Sequence, residues 1–436
     1  MARIRAGAVL GVLVVFAPPA AVSLGPVGGQ IASVSRGADT AELLKDGLPP
    51  EGSQSEEPDL DVSDGVETSG VLRSKITDVL DQQASALLQG NLAGFLASTD
   101  PADTALRSQL TRRFASLRAM RVAVFEEALT GTLRVEQGGH VAASVRLRYC
   151  FVATRCAPVE TTVQTYWSAT AGQPRLTTFK TSTPEQTGPR PWEVSELQAV
   201  VGKRVVVAGT KRWASRLKSI LAAAERAAAV ADRYAKWDSP PSRYIVYVAG
   251  SDEWSQWHGV RQASWVAAYA MPLNATHTEI VLNAQKVAVS DARDVLQHEF
   301  AHVVTLSGVQ RTYPNSWWLV EGIAEYIQNV GASTYRYRAF GDGRRYARSG
   351  RWNGTIPLSE PDSTATTSEA NGRYAVAFLA VRRLVERYGE WRMLAFFNAV
   401  AREGQGLEAA SSAIFKVSWS KVSEDCTRYV RHALGG

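Results

Sequence analysis

The stretch of sequence that decides the fold is HEFAH, at residues 298–302. Residues 291–306 are predicted to form one helix, with the five residues inside it. Side chains four positions apart lie on the same face of a helix, so His298 and His302 can bind one metal ion. Glu299 lies beside that face, where a carboxylate can take a proton from a metal-bound water.

A second stretch, SWWLVEGIAEY at residues 316–326, supplies the ligand that the histidines lack. A catalytic zinc site needs a third protein ligand and a position left open to water. Eighteen residues separate His302 from Glu321, and the second stretch is also predicted to be helical. Glu321 can then face the two histidines. Glu325, one turn further along the same face, can accept the other N–H of His298.

Chance is the main alternative interpretation of this pattern. The chain has only six histidines in 436 residues, so an accidental HExxH motif is rare, and the later glutamate makes it rarer. Under this alternative, residues 291–306 form a solvent-exposed helix whose two histidines bind no metal. For Glu325 alone, the alternative is an ordinary surface glutamate.

These motifs resemble those of the gluzincin peptidases, the group that contains thermolysin-like and aminopeptidase N-like enzymes. HExxH-x18-E and the sequence WLVEGIAEY at residues 318–326 carry the resemblance, which covers roughly residues 190–436. It implies one Zn²⁺ per chain and a hydrolytic reaction at a peptide bond. The implied ligands are His298, His302 and Glu321, the implied general base is Glu299, and Glu325 matches the carboxylate behind the ligands.

Aminopeptidase N-like members also use a tyrosine hydroxyl to stabilise the oxyanion, at the start of a later helix. Tyr374, which is predicted to open a helix within residues 371–388, is the candidate for this role. The alternative is that Tyr374 only packs. Tyr326, Tyr335 and Tyr337 are rival candidates.

One feature of the aminopeptidase N-like pattern is missing. Those enzymes carry a Gly-x-Met-Glu-Asn strand whose glutamate binds the free amine of the substrate. The corresponding residues 264–271 contain no acid, so internal cleavage is predicted rather than N-terminal trimming. This substrate strand can still pair with an extended peptide. Its expected central residues are Ala267, Ala268 and Tyr269. His258 and His277 flank it and are either cleft residues or loop histidines.

The predicted fold class is α+β. Residues 71–185 combine a helix at 72–97 with later strands, including 121–125 and 130–136, and resemble the cone-like nuclear transport factor 2-like fold in element order. Residues 190–436 are the predicted gluzincin domain, a small mixed sheet followed by a helical lobe. Its first predicted strand is the β-branched run at 200–207.

The N-terminus predicts export. Arg3 and Arg5 precede an uncharged apolar run and two prolines, so residues 1–23 are predicted to be a signal peptide, or alternatively a membrane anchor that tethers the protein. Residues 24–70 are predicted to be a disordered acidic linker. The expected location is secreted or extracytoplasmic.

Charge and cysteine content limit the remaining possibilities. The formal net charge of +6 is spread without a basic stripe or a recognisable binding module, so no nucleic-acid partner is predicted. Export would permit a disulfide between Cys150 and Cys156, whereas Cys426 is expected to be a buried thiol.

The sequence therefore predicts an exported zinc peptidase that acts on peptide or protein substrates, more as an endopeptidase than as an aminopeptidase. One alternative is a non-catalytic cell-surface binding protein that retains a zinc site. Another is a hydrolase acting on a non-peptide amide or ester. The sequence does not predict an oligomeric state.

Overall fold

The structure is a computed structural model that describes residues 11–14, 69–136, 140–168, 172–183, 187–259, 262–309, 313 and 315–435. Its first described segment is a short strand, β1 (Gly11–Val14). Apart from β1 and residues 69–70, the predicted signal peptide or anchor and the predicted linker lie outside the described residues. Within the described part of the chain, no helix is both long enough and apolar enough to span a membrane.

The N-terminal module, residues 69–183, packs helices against an antiparallel sheet in the order β2-β3-β4-β5. Its elements are α1 (Ser69–Gln89), α2 (Leu92–Phe95), α3 (Thr104–Ala119), β2 (Val122–Val135), β3 (His140–Phe151), β4 (Val159–Ser168) and β5 (Arg175–Phe179). Cys150 and Cys156 form a disulfide, and Cys426, in the C-terminal part of the chain, is a buried thiol.

Two predictions for this module are wrong in detail. The helix predicted at 72–97 ends at Gln89, because Gly90 adopts a φ of 76°, which ends the helix and favours glycine. The two strands predicted at 121–125 and 130–136 are one strand, β2. The register of β2 against β3 shifts after Thr130, next to Gly131 with its φ of 66°.

A mixed six-stranded sheet follows, in the order β1-β9-β10-β8-β7-β6. Its elements and connections are α4 (Pro191–Val194), β6 (Leu197–Val201), β7 (Val205–Thr210), α5 (Ala214–Ala231), β8 (Tyr244–Ala249), α6 (Ser251–Gln256), β9 (Val266–Pro272) and β10 (Thr278–Asn283). The single strand predicted at 200–207 is wrong. The chain turns at residues 202–204, and β6 and β7 form an antiparallel hairpin.

The helical lobe, residues 292–435, covers one face of this sheet. It comprises α7 (Ala292–Thr305), α8 (Trp317–Gln328), α9 (Phe340–Arg348), α10 (Thr367–Tyr388), α11 (Glu390–Phe397), α12 (Leu407–Ile414) and α13 (Trp419–Leu434). A π-helical turn at 398–402 extends α11. The architecture is α+β, with small sheets and a helical lobe, as the sequence predicts.

Both faces of the six-stranded sheet are buried. Along β8, Tyr244, Val246 and Val248 pack into the core of the helical lobe, whereas Ile245 and Tyr247 pack into a core shared with the N-terminal module. Strands buried on both faces are apolar at every position, and β8 reads YIVYVA. The sheet is therefore the layer that holds the two parts of the protein together.

Candidate metal centre

Two neighbouring helices bring three metal-binding side chains to one point. His298 and His302 lie one turn apart on α7, and their Nε2 atoms are 3.0 Å apart. Glu321 on α8 places its Oε2 3.2 Å from Nε2 of His298 and 3.3 Å from Nε2 of His302. All three side chains are buried. Among the described residues, they form the one cluster of histidine, cysteine or carboxylate side chains with metal-binding spacing.

The spacing of the donor atoms fits zinc. A tetrahedral site with bonds of about 2.1 Å places its ligand atoms about 3.4 Å apart, close to the separations seen here. Two imidazole nitrogens and one carboxylate oxygen are also a donor set that zinc accepts, with a fourth position left for water. The three donor atoms lie together in a buried space, where they can share one cation. The three side chains therefore fit a metal ion.

Glu325 lies behind the first histidine. Its Oε1 is 3.1 Å from Nδ1 of His298, on the side of the ring opposite the donor atoms. Burial lowers the pKa of His298, but the hydrogen bonds and charges of Glu321 and Glu325 outweigh burial and raise it to about 10. A carboxylate at Nδ1 fixes the tautomer that leaves Nε2 free to bind a metal.

Glu299 lies next to His298 on α7 and is fully buried. Neither of its carboxylate oxygens has a hydrogen-bond partner among the described residues. Burial raises the pKa of Glu299 well above its usual range, the charge of Glu321 adds to this, and His298 opposes it. Buried carboxylates normally have hydrogen-bond partners, so the oxygens of Glu299 are available to a guest molecule beside the metal-binding side chains.

Tyr374 lies near the ring of His298, although one detail of its prediction is wrong. It does not open its helix, because α10 begins at Thr367, where the Thr366 hydroxyl accepts from the Glu369 N–H and caps the end. The Tyr374 ring is 6.3 Å from the His298 ring and packs edge-on against Trp317 at 5.2 Å.

Gly322 sets the approach of α8 to α10. A Cβ atom at this position would lie 2.5 Å from Cγ2 of Val381 and 2.7 Å from the carbonyl oxygen of Ala377. No larger residue fits unless the two helices move apart. Because Gly322 follows Glu321 directly, this contact fixes the distance between the third ligand and the helix that carries Tyr374.

The rival tyrosines have other partners. Tyr326 donates to Glu390 at 2.9 Å. Tyr337 is buried behind the site beside Glu325, and burial, the charge of Glu325 and a hydrogen bond to this carboxylate raise the pKa of Tyr337 well above the usual range. The side chain of Tyr335 lies outside the described part of the structure.

The predicted substrate strand is β9. The side chains of Ala267, Ala268 and Tyr269 are buried, so only the backbone edge of the strand could meet a peptide. In the structure this edge pairs in parallel with β1 of the same chain. On its other side, β9 pairs antiparallel with β10.

The two flanking histidines lie outside the metal cluster. His258 is fully buried and its Nε2 lies 2.9 Å from Oε2 of Glu279. His277 is partly exposed, 3.7 Å from the same carboxylate, and lines a cavity described below. His140 begins β3 and is exposed.

A further carboxylate near the site, Glu360, has no sequence signal and lies on the irregular segment between α9 and α10. Partial burial raises the pKa of Glu360, and the charge of Glu321 adds to this, so the two carboxylates are close enough to interact. On the same segment, the carbonyl oxygen of Asp362 accepts from Nε1 of Trp265, 3.3 Å away. Irregular segments lack a periodic pattern, so the sequence does not indicate that Glu360 lies near the metal-binding side chains.

The chain matches no family model and no curated protein. Solved structures similar to it include two of yeast LTA4 hydrolase. The native protein is 14% identical, with 55% of this chain and 39% of that one covered and a TM-score of 0.36. The complex with bestatin is 12% identical, with 70% of this chain and 68% of that one covered and a TM-score of 0.35. The match thus spans well under half the length of the first protein.

Proposed function

We propose that this chain is a zinc-dependent peptidase of the gluzincin type. One observation carries the proposal: the donor atoms of His298, His302 and Glu321 lie within 4.8 Å of one another, and the unpartnered carboxylate of Glu299 is buried beside them. Structural zinc sites are usually closed by four protein ligands, whereas three ligands with a neighbouring base are typical of catalytic sites.

The residues divide the chemistry between them. A bound zinc supplies Lewis acidity, which lowers the pKa of water and polarises a carbonyl. Glu299 takes a proton from the attacking water and later gives it to the nitrogen of the leaving amine. Because Glu299 is fully buried, its carboxyl is shielded from bulk water while it holds the proton between these two steps.

Tyr374 and Glu325 have supporting roles in this proposal. The Tyr374 hydroxyl donates to the oxygen that becomes negative during attack on the carbonyl. Glu325 orients the His298 ring and keeps its Nε2 available as a ligand. The two roles are separable, because the first acts on the transition state and the second acts on metal affinity.

The proposed substrate is a peptide or protein that the enzyme cleaves internally. An extended peptide would bind along the outer edge of β9, the edge that β1 occupies here. Removal of residues 1–23 after export, as the sequence predicts, would take β1 away and free that edge. The lack of an acid in β9 supports internal cleavage over N-terminal trimming.

The test uses purified protein, metal analysis and a mixture of quenched fluorogenic peptides with blocked and free N-termini. We expect one zinc per chain, cleavage of blocked peptides, and loss of cleavage after chelation that added zinc reverses. Glu299→Gln should bind zinc normally and lose about 10²- to 10⁴-fold in turnover, the usual contribution of a general base.

Glu424→Gln is the matched control, because this glutamate is exposed on α13 and its one ion pair among the described residues is with the exposed Arg428 on the same helix. It should cleave like the wild-type protein. A folded wild-type protein that holds zinc and cleaves no peptide would overturn the proposal and favour a binding protein. Cleavage of esters or non-peptide amides alone would favour a different hydrolase.

A further inference from the structure

A cavity of about 290 Å³ borders His302 on the side of the C-terminal end of α7. Its wall includes Arg155 and Cys156 from the N-terminal module and Arg243 from the start of the β8 segment. The proposed metal site therefore adjoins a space that both parts of the protein help to form. At the lower end of the usual range for ligand sites, about 300 to 1,000 Å³, such a space suits one or two side chains.

The loop that the N-terminal module contributes to the cavity wall is held in place at both ends. The disulfide between Cys150 and Cys156 closes the loop that carries Arg155. Immediately after this loop, the carbonyl oxygen of Pro158 accepts from Nδ2 of Asn274, 3.1 Å away in the turn between β9 and β10. The loop is thus fixed at one end to its own strand and at the other to the sheet that carries the proposed substrate strand.

The positive groups around the cavity lack anionic partners. Neither Arg155 nor Arg243 forms an ion pair with any described residue. Nε of Arg243 is buried without a hydrogen-bond partner among the described residues, and its Nη1 donates only to the carbonyl oxygen of Ser242. Buried guanidinium N–H groups of this kind are normally satisfied by a carboxylate or another acceptor.

The acceptors that could compete for these arginines are already engaged. Asp238, the one acidic residue in the cavity wall, accepts from the Ser307 hydroxyl at 3.0 Å and from the Ser239 N–H at 2.9 Å. The carbonyl oxygens of Thr305 and Ser307, at the end of α7, both accept from Nη1 of Arg402. Two arginines and one aspartate therefore line the cavity, and neither arginine has an ion-pair partner among the described residues.

We propose that this cavity is a specificity pocket for the carboxylate side chain of a peptide substrate, and that the N-terminal module takes part in substrate selection through Arg155. The inference rests on the proposed peptidase function and adds a substrate class to it, namely peptides with Glu or Asp near the cleaved bond. Arginine suits this role because its planar fork binds a carboxylate through two parallel hydrogen bonds.

The first experiment measures kcat/KM for matched fluorogenic peptides with Glu, Gln or Lys placed in turn at each position around the cleavage site. At one position the wild-type protein should favour Glu over Gln, and Gln over Lys. Arg155→Glu should reduce the Glu-over-Gln preference about threefold, as for an exposed charge pair, and Arg243→Gln about tenfold, as for a charge-assisted hydrogen bond.

The control is Arg146→Glu, because Arg146 is exposed on β3 and does not line the cavity. It makes the same charge change in the same module and should leave the preference unchanged. Arg155 is itself exposed, so its variant should fold even if Arg243→Gln does not, and thermal unfolding checks both. An unchanged preference in a folded Arg155→Glu protein would overturn the role of the N-terminal module.

A second measurement separates this inference from the proposed function. Fluorescence anisotropy of labelled Glu and Gln peptides with Glu299→Gln protein reports binding without turnover. Tighter binding of the Glu peptide than of the Gln peptide, reduced about threefold by Arg155→Glu, supports the pocket even if the wild-type protein cleaves nothing. Efficient cleavage with no preference for acidic peptides overturns the pocket and leaves the peptidase proposal standing.

Discussion

Replacing Glu325 with glutamine tests the position of the first histidine without relying on an enzymatic assay. The substitution keeps the shape of the side chain and removes the charge that lies 3.1 Å from Nδ1 of His298. A hydrogen bond to a charged group contributes about 1.5 to 3 kcal/mol, and loss of a carboxylate behind a metal-bound histidine costs about 10- to 100-fold in affinity. The two ranges agree, so we expect the zinc dissociation constant to rise about 10- to 100-fold.

Competition against a fluorescent zinc chelator of known affinity measures this change directly. Glu424→Gln is again the matched control and should leave the dissociation constant unchanged. The apo forms of Glu325→Gln and wild-type protein should have similar far-ultraviolet circular dichroism, which separates weaker binding from unfolding. Unchanged zinc affinity in a folded Glu325→Gln protein would refute the view that this carboxylate orients the ligand.

Three further predictions address the site and the N-terminal module. Tyr374→Phe should lower kcat about 100-fold with KM and zinc affinity nearly unchanged, because the hydroxyl acts only in the transition state; an unaltered kcat would leave Tyr374 a packing residue. Removal of zinc should lower the melting temperature in calorimetry, because a metal that binds only the folded state stabilises it, and an unchanged value would argue against the metal centre. Burial raises the pKa of Glu127 to about 8, whereas an unfolded glutamate has a pKa of about 4.3. Between these two pH values the folded state holds a proton that the unfolded state has released, so the free energy of unfolding should fall as pH rises. Glu127→Gln should flatten that fall in urea unfolding at pH 5 and pH 8, and an equally steep fall in the variant would contradict this account.

The sequence predicted the parts of the site that depend on regular spacing. The four-residue interval between His298 and His302 requires only that residues 291–306 be helical. The position of Glu321 depends on the packing of α7 against α8. No single residue predicts this packing; the complete HExxH-x18-E motif does. Only the family resemblance indicates Tyr374, and the prediction that it opens its helix is wrong because α10 begins seven residues earlier, at Thr367.

Other features gave weaker signals. The sequence predicts one strand in place of the hairpin of β6 and β7 because a β-branched run continues on both sides of Gly202, although glycine in a strand often marks a turn. Glu360 and the cavity beside His302 depend on segments that are distant in sequence, so no local pattern could reveal them. The zinc ion, the substrate class and export remain predictions.

The double burial of the six-stranded sheet has a consequence for how this protein can be divided. A gene fragment encoding residues 190–436 would retain every residue proposed for the chemistry, yet it would leave Ile245, Tyr247 and the rest of that sheet face uncovered. Bare apolar surface of this extent favours aggregation over solubility. The N-terminal module and the residues from 190 onwards therefore have to be expressed together as one folding unit.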